Sequence, residues 1–275
     1  MNRRSLLLIF HMMTIRKPYH LLFAAWLGAG SVTRAAPPPD AAVLPPVEVV
    51  LERMLTNSVR EAENDRQFVA RYAYQRTKVQ EERNPKGKVT KRTEKTINHQ
   101  PPRPLAATSP VSGSADVPEA HELQPGSEAE HKRRPFEKRD FVLNRDLISR
   151  FEFALAERGS LAGRPAIVLD FQPAEQPPPA RHFKDRFINK VAGRAWVDEA
   201  DGFVVKVELH MTEPLEVVGG LVGVVKQCQY SFTRERTPEG LWFVKSVDWH
   251  LEGRQFLKRK SVDYHESRTN VVKVW

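Results

Sequence analysis

Gly193-Arg194-Ala195-Trp196-Val197-Asp198-Glu199-Ala200-Asp201-Gly202-Phe203-Val204-Val205-Lys206-Val207-Glu208-Leu209-His210-Met211 decides the fold class of this 275-residue chain. Phe203, Val205, Val207, Leu209 and Met211 alternate with Lys206, Glu208 and His210. A period of two with one apolar set is the pattern of a half-buried strand. Asp198 to Gly202 supplies turn residues, so a strand ending at Trp196-Val197 and the strand from Phe203 form an antiparallel hairpin.

The same pattern extends in both directions. Tyr230 and Phe232 lead to a turn at Thr237-Pro238-Glu239-Gly240, after which Leu241, Phe243, Val247, Trp249 and Leu251 point together. Glu252-Gly253 is expected to turn the chain into a closing strand. Upstream, Phe151, Phe153 and Leu155 alternate before Gly159 to Gly163, and Ile167, Leu169 and Phe171 alternate after it. Short strands separated by turn residues describe an antiparallel sheet.

A helix precedes the strands. Val47, Val50, Leu51, Met54, Leu55, Val59 and Ala62 recur at helical steps, with a stop expected at Asn64-Asp65 and a strand from Phe68 to Tyr74. A polar hairpin then turns at Asn84-Pro85-Lys86-Gly87. Between Arg66 and Lys95 ten bases face three acids, a charge suited to guarding a sheet edge or to facing anionic headgroups or an acidic partner. Phe183 to Ala192 reads as a short second helix and Val217 to Val225 as a glycine-broken apolar flap. The fold class is therefore α+β, mainly antiparallel β.

Pro101 to Glu130 is rich in Pro, Ser, Ala, Gly and Glu, with too little apolar bulk to offset its ordering entropy. It reads as a disordered insert within one domain spanning residues 47–275. The N-terminus carries Arg3, Arg4, Arg16 and Lys17 before an apolar run from Leu21 to Gly30, and Thr33 and Ala35 fit a cleavage site. Residues 1–35 thus read as a signal peptide starting at Met1, Met12 or Met13, followed by an extended leader over 36–46. The run is too short for a spanning anchor, and a soluble periplasmic protein is expected. Cleavage removes five bases, counting Arg34, from a net charge of +9 and leaves +4, which argues against nucleic acid as a partner. Cys228 is the only cysteine, so no intramolecular disulfide forms.

No catalytic or metal-binding arrangement is legible. Gly159-Ser160-Leu161-Ala162-Gly163 lacks the nucleophile-elbow spacing, no His-x-His or His-Glu-x-x-His occurs, and Gly219 to Gly223 lacks the Lys-Ser/Thr of a phosphate loop. His210 and His250 sit among alternating strand residues. The expectation is a non-enzyme that uses no cofactor.

The helix followed by hairpins, Arg150-Phe151-Glu152-Phe153, and above all the quoted Gly193-to-Asp198 and Asp201-to-Glu208 segments resemble the outer-membrane lipoprotein-sorting (LolA/LolB-like) superfamily of bacterial envelope proteins, over most of residues 47–265. That resemblance implies an open half-barrel of hairpins, covered by the N-terminal helix and one or two short helices, whose concave apolar face holds acyl chains. No residue here matches the cavity arginine of the lipoprotein carriers. Phe151, Phe153, Trp196, Phe203, Val205, Val207, Leu209, Phe232, Phe243 and Trp249 are the cavity candidates, unless they form an ordinary closed core. The expected partners are lipid or lipoprotein acyl chains bound by a monomer. The alternatives are an interaction or sensor module for an envelope membrane protein, without lipid cargo, and a purely structural envelope protein.

Overall fold

Turn chemistry and alternation place the strands, and the computed structural model describes residues 44–102, 143–217, 223–255 and 258–274. The signal peptide with its cleavage near Ala35, the leader up to residue 43, most of the Pro101-to-Glu130 insert and residues 218–222 of the expected flap lie outside the described residues.

Helix α1 (Val47–Arg71) leads into β1 (Tyr72–Arg83) and β2 (Val89–His99). The short α2 (Arg145–Ile148) precedes β3 (Phe151–Leu161) and β4 (Arg164–Pro173). Helix α3 (Phe183–Ile188) is followed by β5 (Val191–Asp198), β6 (Val204–Met211), β7 (Leu215–Val217), β8 (Gly223–Arg236), β9 (Trp242–Gln255) and β10 (Lys258–Lys273). All ten strands form one open sheet in the order β2-β1-β10-β9-β8-β6-β5-β4-β3, with β7 beside β8. Every pairing is antiparallel. The mainly antiparallel class, the open sheet and the N-terminal helix are thus as the sequence led one to expect.

Both helices that carry buried apolar residues pack on the same face. From α1, Val50 and Met54 bury against Ile167, Leu169 and Val197. From α3, Phe187 buries with Val191, Leu215, Val225, Cys228 and Leu251. A third cluster at the C-terminal end of α1 joins Phe68, Tyr72 and Phe243. Among the described residues the opposite face carries no helix, and it is polar, as the cross-strand pairs Arg194 with Glu208, Gln229 with His250, and Asp248 with His265 illustrate. One helix-covered apolar face and one wet face account for the clean alternation of the strands.

Four local expectations are corrected. Helix α1 does not stop at Asn64 but runs to Arg71. Asn64 instead grips the sheet: its Nδ2 donates to the Trp242 carbonyl at 2.6 Å and its Oδ1 accepts from the Trp242 amide at 2.8 Å. With the side chain so occupied and Phe68 stacked on Phe243 at 4.8 Å, tertiary contact outweighs a weak local stop signal. Glu252 and Gly253 lie within β9, bonded on both sides to β8 and β10. Leu215–Val217 pairs with Gly223–Val225, so the start and end of the expected flap are strand. Val191 and Ala192 begin β5 rather than ending a helix.

The hairpin that decides the fold class is held by Asp198. Its carboxylate accepts from Arg164 at 2.6 and 2.9 Å and from the amides of Ala200 and Asp201 at 3.1 and 2.7 Å. Gly202 closes the turn with φ +67°, a left-handed value that favours glycine. Burial alone would raise the Asp198 pKa, but the bonds from Arg164 and the two amides outweigh it and hold the carboxyl below the usual range. Because the folded pKa is depressed, the stabilisation is present above the unfolded value of about 3.9 and is lost as pH falls through the folded one. Asp198→Ala is expected to cost about 2–4 kcal/mol at neutral pH, since it strands a guanidinium and two amides. Urea unfolding checks this, and the gap between wild type and variant should narrow below about pH 4.

Candidate functional site

Two cross-strand rows build the centre of the helix-bearing face. Through successive pairings, Phe153, Phe171, Gly193, Leu209, Tyr230, Trp249 and Tyr264 form one row from β3 to β10. Leu155, Leu169, Ala195, Val207, Phe232 and Val247 form the next. β5 contributes only Gly193 and Ala195, so both rows dip between bulky neighbours. Val207, Phe232 and Val247 are half-buried and belong to none of the three core clusters. The apolar face is therefore sealed at its two ends and less tightly covered at its centre.

The rim of this band is polar. Arg234, 8% exposed, pairs with Glu61 of α1 and stands over the Phe232 ring at 5.6 Å. On the β10 side Val247 faces Glu266, which accepts from the Tyr264 hydroxyl at 2.7 Å and lies 3.4 Å from Lys78. Burial would raise the Glu266 pKa, but Tyr264, Lys78, Arg76 and Arg268 together lower it, so the carboxylate stays charged. Tyr230 is pushed up to about 12, chiefly by burial, and stays protonated.

Of the ten candidates, Val207, Leu209, Phe232 and Trp249 are brought together in the central band. Phe151 and Phe153 stand on the same face, edge-on to one another at 6.1 Å, each against a different core cluster. Val205 is buried at 2% beside a β-bulge, where Trp196 faces Lys206 and Val197 faces Val204. That bulge breaks the alternation on which Phe203 and Val205 were grouped with Val207. Phe203 stacks on Trp242 at 6.4 Å. Phe243 is locked in the aromatic stack with Phe68. Trp196 lies on the opposite face, with the Lys206 ammonium 4.3 Å from its ring centroid. Tyr230, Val247 and Arg234 are not among the ten candidates: Tyr230 and Val247 stand in the alternation of their strands and join the band through Leu209, Trp249 and Phe232, and Arg234, two residues after Phe232 on β8, is charged and gives no apolar signal.

An open groove of about 1260 Å³ crosses the uncovered polar face, lined among others by Trp196, Arg194, Glu208, His210, His250 and Asp263. His250 Nδ1 stands 2.5 Å from Asp263, and His265 Nδ1 stands 2.6 Å from Asp248. Among the described residues no group of His, Cys, Asp and Glu is placed to hold a metal ion. Cys228 is buried, and burial raises its thiol to about 12, which makes it a poor nucleophile. No described helix is long and apolar enough to cross a membrane.

No family model matches the chain, and neither does any curated protein. Among solved structures, the chain is similar to an outer membrane lipoprotein-sorting protein domain from Vibrio parahaemolyticus, at 13% identity and a TM-score of 0.30, covering 79% of this chain and 93% of that one. It is also similar to a LolA superfamily protein from Nitrosomonas europaea, at 10% identity and a TM-score of 0.28, covering 83% and 93%. A third is the MucA/MucB complex of Pseudomonas aeruginosa, at 13% identity and a TM-score of 0.25, covering 81% and 94%. At such scores the likeness carries no argument about ligand or partner.

Proposed function

We propose that this chain is an exported periplasmic protein that binds acyl chains of lipids or lipoproteins by reversible burial on its helix-bearing face, without catalysis. The observation that supports it is the half-buried row Val207, Phe232 and Val247, which no core cluster absorbs. An apolar face must be covered by helices, by a second sheet or by a ligand, and here the helices seal only its ends. About twelve methylenes at ~0.8 kcal/mol each give a gross gain near 10 kcal/mol. Association costs of at least ~4 kcal/mol leave at most ~6 kcal/mol, a dissociation constant of roughly tens of micromolar at the tightest. The charged rim of Arg234, Glu266 and Lys78 suits the polar end of such a ligand.

Protein purified from its native envelope is expected to release acylated lipid on extraction, detected by mass spectrometry. After delipidation it should bind a fluorescent fatty acid, with Trp249 responding and Trp196, on the other face, silent. Protein that carries no acyl species and binds none after delipidation has a closed core. The second reading, an interaction module without lipid cargo, would then stand, and the open groove on the uncovered face is the feature that favours it.

A further inference from the structure

Five strand ends, those of β1, β2, β10, β9 and β8, meet at one end of the sheet, and the exposed charges there are basic. Arg83 of β1 pairs with Ser261 of β10, so the β1–β2 turn lies beside the start of β10. Lys258 pairs with Gln255, and Gln255 with Gly223 at the start of β8. Lys86, Lys88, Lys91, Lys258 and Arg259 are all exposed here, and Arg254 and Lys260 stand beside them. Lys91 and Lys260 approach the buried carboxylate of Glu82 at 3.5 and 3.1 Å. No ion pair is formed by Lys86, Lys88, Lys258 or Arg259 among the described residues. Val89, 36% exposed, sits among these bases.

Guarding a sheet edge against pairing needs bases along β2, and Lys91 and Lys95 serve that purpose. It does not call for unpaired bases on the β10 end, which is an interior strand of the sheet. We propose that the end of the sheet formed by Lys86, Lys88, Lys258 and Arg259 docks the protein on the anionic headgroups of a phospholipid bilayer. The seat is made of exposed ammonium and guanidinium groups on neighbouring strand ends. Such groups fit a flat, laterally mobile field of phosphates, to which each juxtaposed base adds several-fold in affinity at low salt. The surface is separate from the apolar band, so neither proposal depends on the other.

The test is vesicle co-sedimentation of the full chain with phosphatidylcholine alone and with one-third phosphatidylglycerol. The chain is expected to prefer the anionic vesicles, and molar salt to release it. A variant with Lys86→Glu, Lys88→Glu, Lys258→Glu and Arg259→Glu should bind them at least about tenfold more weakly. The charge-matched control carries Arg60→Glu, Arg66→Glu, Arg145→Glu and Arg181→Glu, all on exposed positions away from this end, and should lose much less. Both keep the basic N-terminal segment, so the difference between them reads position and not net charge. Circular dichroism confirms that each is folded. Equal binding to both vesicle types, or equal losses in the two variants, overturns the proposal.

Discussion

Val207→Asp is expected to weaken acyl-ligand binding by about a hundredfold or more while leaving the chain folded. Val207 stands half-buried in the central band, opposite Ala195 on one side and Phe232 on the other. A carboxylate there keeps contact with water in the unliganded protein and loses it when an acyl chain covers the band. The desolvation cost of several kcal/mol then falls on the complex. The contrast is Leu169→Asp in the adjoining strand pair, where the side chain is 0% exposed beneath α1 and the charge has no outlet. That variant should not fold, and even Leu169→Ala should cost about 2–5 kcal/mol. Fatty-acid titration and urea unfolding on the same samples separate the two effects. Should Val207→Asp unfold the chain as Leu169→Asp does, the band is closed core and the carrier reading fails.

The second large effect is expected from the smallest change. An alanine Cβ at Gly193 would lie 2.1 Å from the Glu208 carbonyl oxygen, 2.8 Å from Leu209 Cα and 2.9 Å from the Phe171 ring. Two of those contacts are backbone, so relief requires β5 and β6 to part, and strand separation spreads along the ladder. Gly193→Ala should cost about 3 kcal/mol or more, a fall in Tm of roughly 6–12 °C for a domain of this size. Gly159→Ala is the control, because its Cβ meets only Val168 Cγ2 at 3.3 Å. Thermal unfolding followed by circular dichroism compares them, and equal Tm values for the two variants would refute the close approach at Gly193.

Much of this was legible in the chain itself. The period of two in Val207 to Met211, the turn residues Asp198 to Gly202 and the helical spacing from Val47 are local properties, and local sterics enforce them wherever the chain goes. The class of sheet, the leading helix and the polar first hairpin followed directly. His210 and His250 also keep the strand positions assigned to them.

What the sequence alone could not settle is which side chains share a face once strands are paired. Bulges at Val204-Val205 and Thr233-Arg234 shift the register by one residue, and a one-residue shift exchanges faces. The bulged Val205 thus leaves the alternation that Phe203 and Val207 suggest, while Trp196, between Ala195 and Val197 on unbroken β5, looks into the polar groove. Asn64 shows the same limit in a helix, since its stop signal yields to two hydrogen bonds made with a strand 178 residues later. Local pattern fixes the kind of element and the turn. Long-range pairing energies, which no local window contains, decide register, facing and the half-covered band on which the proposed activity depends.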